Sequence, residues 1–280
     1  MRRVRSTALV VFLSSLAILV LGTAALARPP GADRNANAER HRYRGPGARI
    51  IPRRSRSVGF PWDGSLRRSV RVEPTRFVRH VNEYREADRF YGTWELVQLV
   101  ERAAYRVWQR APGAPLNVGE LSARGGGEIP GHASHENGRD VDFGFYMLDA
   151  QNRSVPLYAF AEVNGDGQGT GPNRGLRFDD QRNFELVSKL VTDGDARVQY
   201  IFVANSVRHR LLRYGRRHRT RTVILDRLSR VMMQPSGRHP HRNHFHVRMF
   251  CPPADRPSCK DRAPFHAWYP GELPRPLASL

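Results

Sequence analysis

Toward its C-terminal end the chain reads His244-Phe-His-Val-Arg-Met-Phe250, with ring or cationic side chains at every second position up to Arg248. Successive side chains of a β-strand point to opposite faces, so a strand here sets His244, His246 and Arg248 on one face. Asp140 to Leu148 (DVDFGFYML) alternates in the same way, with Asp140 and Asp142 sharing a face and His135 just before it. These two runs predict two sheet strands that each carry a polar row.

The segments around them alternate in type. Gly92 to Arg110 has Leu96, Leu99, Val100, Ala103, Ala104 and Val107 at helical spacing and stops before Pro112-Gly113. Leu116 to Leu121 predicts a short strand and Val198 to Val203 a buried one, while 180–191, 206–214 and 222–233 predict helices. Strands and helices mix without regular βαβ alternation, which favours an α+β fold with a central, mainly antiparallel sheet flanked by helices. The glycine-rich stretch 164–175 lacks the ending of a phosphate loop and the acid spacing of a calcium loop, and reads as a long surface loop.

The N-terminus points to export. Arg2, Arg3 and Arg5 precede an apolar run from Ala8 to Leu21, and Ala25-Leu26-Ala27 offers a signal-peptidase site. A cleaved signal over 1–27 is expected, with an uncleaved membrane anchor as the alternative. Residues 28–56, rich in Pro, Gly and Arg, read as a flexible basic tether; a domain of 57–270 and a tail of 271–280 follow. The expected location is the periplasm or cell envelope. In that oxidising setting Cys251 and Cys259 suit one short-loop disulfide, contributing about 2–3 kcal/mol. A zinc pair is the alternative, disfavoured by a gap wider than the usual ligand spacing and by the absence of a second cysteine pair.

The formal charge of +20 predicts affinity for polyanions such as an anionic cell-wall polymer or membrane surface, engaged through the arginine-rich tether. Export argues against nucleic acid as a partner. Such a charge describes a surface and not a reaction.

Chemistry concentrates in two segments, His132-Ala-Ser-His-Glu-Asn-Gly-Arg-Asp-Val-Asp142 and Arg238-His-Pro-His-Arg-Asn-His-Phe-His-Val-Arg248. One aspartate and two histidines satisfy a catalytic zinc, which takes three protein ligands and leaves a fourth position to water, whose pKa then falls toward ~7. The competing reading is a solvated His/Arg-rich loop.

GHASHENGRDVD followed by HRNHFHVRMFCP resembles the penicillin-insensitive murein endopeptidases, zinc peptidases of the lysostaphin and D-alanyl-D-alanine-peptidase group. SVGFPWDGSL, RFYG, VGELSARGGG and YIFVANSV extend the likeness over most of 57–260. The resemblance implies one zinc held by His135, Asp142 and His246, with His244 moving protons and His241 stabilising the oxyanion or orienting substrate. Asp140 is expected to hydrogen-bond a ligand histidine. His132 matches a histidine that some relatives give to an accessory metal, whose other ligands are not evident here. His239 has no counterpart and reads as a solvated loop residue. The implied reaction is hydrolysis of the D-alanyl–diaminopimelyl cross-link of peptidoglycan peptides without an acyl-enzyme, and the serine-enzyme signatures are absent. The alternatives are a zinc D,D- or L,D-carboxypeptidase on the same peptides and a non-catalytic cationic wall-binding protein.

Overall fold

The computed structural model describes residues 54–237 and 239–269. The expected signal (1–27), all but the last three residues of the tether, and the tail (271–280) lie outside the described residues. Two residues ahead of 57 already belong to the fold: Arg56 opens a strand, and buried Ser55 accepts a hydrogen bond from the Trp94 N–H at 2.7 Å.

A hairpin of β1 (Arg56–Phe60) and β2 (Asp63–Arg67) leads to β3 (Val70–Arg71), β4 (Val78–His80) and β5 (Tyr91–Gly92). Helix α1 (Trp94–Arg110) follows, then β6 (Leu116–Val118), β7 (Asp140–Gly144), β8 (Met147–Leu148), β9 (Ser154–Val155) and β10 (Arg177–Phe178). The C-terminal half supplies α2 (Asp180–Thr192), β11 (Val198–Phe202), α3 (Asn205–Arg217), α4 (Thr222–Val231), β12 (Met232–Met233) and β13 (His244–Met249). No helix among the described residues is long and apolar enough to cross a membrane.

Six strands form the central sheet in the order β12-β11-β13-β7-β6-β4. The three inner pairings are antiparallel, while β12 and β4 join in parallel at the two edges. The sheet is therefore mixed, and mainly antiparallel, within an α+β fold.

Local chemistry explains the elements. Thr93 caps α1 by accepting from the Leu96 N–H at 3.3 Å, and the apolar stripe of that helix is buried. Asp179 caps α2 in the same way through the Arg182 N–H. The alternation of β7 and β13 sends Val141, Phe143, Phe245, Val247 and Met249 into one core with Leu96, Leu99 and Val100 of α1 and Leu186 and Leu190 of α2.

The predicted elements shift at their ends for identifiable reasons. The strand expected to Leu121 stops at Val118, because the Leu121 N–H bonds to Arg89 instead of a sheet neighbour. The run 140–148 divides into β7 and β8, with the Tyr146 N–H between them turned onto the Asn183 side chain. The last predicted helix ends at Val231, and Met232–Met233 pairs with Ile201–Phe202 as an edge strand.

Behind β13 the chain is tied down firmly. Cys251 and Cys259 form a disulfide. Fully buried Arg139 donates to the Met249 carbonyl at 3.0 Å, the Lys260 carbonyl at 3.0 Å and Asp261 at 2.6 Å. The end of the β7–β13 pair that carries Asp140 and Arg248 is thus braced.

Candidate active site

Antiparallel pairing of β7 with β13 sets His246 opposite Asp142, Arg248 opposite Asp140 and His244 opposite Gly144. Directly opposed residues point their side chains to the same face and interact. The Asp142 carboxylate and the His246 ring accordingly meet, with Oδ1 and Nδ1 3.2 Å apart. Arg248 donates to Asp140 through Nε at 2.7 Å and through a second nitrogen at 3.1 Å.

His135 enters from the loop ahead of β7. Its φ of 77° lies in the left-handed region, which a non-glycine residue occupies only when its surroundings hold it there. Two contacts do so: its N–H donates to Asp140 Oδ2 at 3.1 Å, and its Nδ1–H donates to the Leu121 carbonyl at 2.6 Å. That tautomer leaves the Nε2 lone pair free, 3.2 Å from His246 Nδ1 and 3.5 Å from Asp142 Oδ2.

These separations fit a metal. Ligand atoms on a tetrahedral zinc, with bonds of about 2.0–2.2 Å, stand roughly 3.3–3.6 Å apart; here His246 Nδ1 lies 3.2 Å from both His135 Nε2 and Asp142 Oδ1, and His135 Nε2 lies 3.5 Å from the other carboxylate oxygen, Oδ2. Asp142 Oδ1 is a buried polar atom without a hydrogen-bond partner, which is costly unless something else satisfies the group. His132 is also near, its ligand atom lying within 4.8 Å of those of His135 and Asp142. Its Nε2 is hydrogen-bonded to Glu120, however, and Arg89 donates to the other Glu120 oxygen at 2.8 Å. Both His132 and His246 thus stand within reach of a metal shared with His135 and Asp142.

The electrostatics follow from burial against charge. Burial alone raises the carboxyls of Asp140 and Asp142, but Arg248 and His246 around the first, and His135 and His244 around the second, hold both well below the usual range. His246 is opposed by burial, yet the two carboxylates push it up to about 9. Burial takes His244 down to about 3, against the pull of Asp142 Oδ1 at 3.7 Å and with the neighbouring histidines adding to the fall. The Glu120 hydrogen bond raises His132.

His244 donates from Nδ1 to the Asn243 side-chain oxygen at 2.7 Å, which turns Nε2 toward Asp142. Its ring stacks on Phe160 at 5.0 Å. Gly144 and Gly119 make room for Phe160: a Cβ on either would come within 2.8 Å of that ring. His241, with a left-handed φ of 54°, donates from Nδ1 to the His239 carbonyl at 2.8 Å and lies 4.6 Å from the His244 ring. Asp140 Oδ1 approaches His246 Nε2 to 3.6 Å, too far for a hydrogen bond, so its firm partners are Arg248 and the His135 N–H.

The group lies in a cleft of about 810 Å³ lined by Trp62, His132, Glu162, Phe202, His239 to His244, His246 and Arg248 among others. The structure thus brings together every predicted site histidine with both aspartates, and His239 is exposed in its loop, as expected, at the edge of the cleft. The glycine-rich stretch 164–175 does not line it. Sequence reasoning missed Glu120, Phe160, Trp62 and Phe202. A carboxylate within the apolar run Val118-Gly-Glu-Leu121 was the one available signal for Glu120.

Residues 78–269 match the family described as penicillin-insensitive murein endopeptidase. A protein of that name from Haemophilus influenzae is 30% identical over 210 residues, covering 69% of this chain and 65% of that one. One from Salmonella arizonae is 31% identical over 179 residues, covering 62% and 58%. The chain spans less than two thirds of the length of these curated relatives. With the family match extending over more than half its residues, the chain belongs to the penicillin-insensitive murein endopeptidase family.

Proposed function

We propose that this protein is an exported zinc endopeptidase that hydrolyses amide cross-links between peptidoglycan peptides, of the D-alanyl–diaminopimelyl type. The observation that carries the reading is the clustering of His135 Nε2, His246 Nδ1 and the Asp142 carboxylate, with contacts of 3.2–3.5 Å, beside an open cleft that His244 also lines. His135 Nε2, Asp142 and His246 Nδ1 would hold the metal. Once bound, it supplies a Lewis acid for the scissile carbonyl and lowers the pKa of a water beside it.

The remaining work falls to the chain's own groups. His244 has its Nδ1–H engaged by Asn243, so Nε2 is free to take a proton from the attacking water and pass it to the leaving amine. Phe160 stacked on its ring, and Gly144 opposite it in the sheet, hold it at that angle. His241 has its Nδ1–H on the His239 carbonyl, so its Nε2 accepts in the neutral form. It therefore suits orienting a substrate N–H better than stabilising an oxyanion. Asp140, fixed by Arg248, sets the His135 loop through the backbone N–H and places a negative charge behind His246. On this reading residues 1–27 direct export, and the basic stretch 28–56 holds the 57–270 domain near anionic surfaces.

Incubating the purified chain with cross-linked muropeptide dimers, with and without chelator, tests the reading. Conversion of dimers to monomers that stops on chelation is expected. Intact dimers, or full cleavage after metal removal, would refute it. Loss of a single alanine from monomers, with dimers untouched, would favour the carboxypeptidase.

A further inference from the structure

A second cavity, of about 100 Å³, shares Trp62, Phe202 and Arg248 with the main cleft and adds Lys260 and Arg262. Phe60 and Trp62 stack beside it, with centroids 5.1 Å apart and planes within 9°. The Arg262 guanidinium rests on this shelf, 4.8 Å from the Phe60 centroid and 5.2 Å from that of Trp62. Lys260 Nζ approaches the Phe60 centroid to 5.6 Å.

Neither cation is paired with a carboxylate among the described residues. The acid between them is already engaged: Asp261 accepts from Arg139 at 2.6 Å, Arg256 at 2.9 Å and the Cys251 N–H at 3.1 Å. The cavity's other two cations are committed as well, Arg248 to Asp140 and Arg139 to Asp261. The backbone under the two free cations is fixed, with the Lys260 N–H on the Gly59 carbonyl at 3.0 Å and Gln199 Nε2 on the Arg262 carbonyl at 2.6 Å. An arginine carries a planar fork of N–H groups that matches a carboxylate. Charge without an internal partner, held in place beside the cleft, is arranged for an anion brought from outside.

We propose that Arg262, assisted by Lys260, forms a subsite that binds a free carboxylate of the peptide substrate along the Trp62 side of the cleft. The inference rests on the peptidoglycan-peptide reading, since the diaminopimelyl and glutamyl residues of such peptides keep carboxylates that cross-linking does not consume.

The test is calorimetric binding of the full-length chain to a soluble stem tripeptide ending in diaminopimelate, which holds no cross-link to cut. The same peptide amidated at the diaminopimelyl carboxylates, or at the glutamyl one, forms the comparison arms. Arg262→Gln should weaken binding of the acidic tripeptide about tenfold, with Arg262→Lys recovering part of the loss. The parent should lose a similar factor when the recognised carboxylate is amidated, and the arm showing that loss identifies which carboxylate is read. On that amidated peptide Arg262→Gln and parent should bind alike. Equal affinity of variant and parent for the acidic peptide, equal losses on acidic and fully amidated peptides, or no binding by the parent would overturn the proposal. Dimer cleavage is scored separately: intact dimers with carboxylate-dependent binding retained would sink the peptidase reading and leave the subsite standing.

Discussion

Along β7 and β13, adjacent residues face two different environments. Val141, Phe143, Phe245 and Val247 point into the helix-covered core, where burial is stabilising and direction matters little. One residue away, Asp140, Asp142, His246 and Arg248 are buried as well, but on the cleft side, where each charged group needs a partner at a defined distance. The same two strands therefore serve stability on one face and chemistry on the other. Substitutions on the two faces should fail in different ways.

The largest effect is expected from Asp142→Asn, which removes the charge of a proposed metal ligand. Dimer cleavage should fall by on the order of 10³-fold or more, while the thermal midpoint moves only a few degrees, as read by paired activity and melting measurements. Phe245→Ala is the counterpart on the core face. It should cost about 3–5 kcal/mol in denaturant unfolding, yet the protein that remains folded should keep its metal content.

Arg248→Met breaks the comparison deliberately, because it strips the buried Asp140 carboxylate of its arginine on the cleft side. A loss of about 3–5 kcal/mol is expected, and adding Asp140→Leu should recover much of it in a double-mutant cycle. Full stability in the single variant would mean that the pair does not matter. Gly144→Ala gives the smallest effect. Its Cβ would meet the Phe160 ring at 2.8 Å and Asn117 Cβ at 3.1 Å, costing about 1–3 kcal/mol. Because Phe160 supports His244, kcat should drop while KM stays near its parent value.

Much of this division is legible in the chain, because period-two alternation is a local property. HFHVRMF and DVDFGFYML announce which residues share a face, and the register does the rest by setting His246 opposite Asp142. What alternation cannot report is what covers the polar row. Asp140 is buried beneath the loop before β7, whose His135 N–H it accepts, and that loop is set by distant contacts such as the His135 Nδ1–H on the Leu121 carbonyl. Glu120 escaped notice because its partners, His132 and Arg89, are 12 and 31 residues away. Trp62 sits in the β1–β2 turn and reaches the cleft only through the fold. The covering of the site is a tertiary property, whereas its floor is a secondary-structure one.

Metal stoichiometry of the purified full-length chain tests the central claim most directly, compared with His246→Ala and His132→Ala. The account predicts one zinc per chain in the parent, retained after His132→Ala and lost after His246→Ala. A parent that binds no metal when supplied with zinc, or a metal that survives His246→Ala but leaves with His132→Ala, would contradict it.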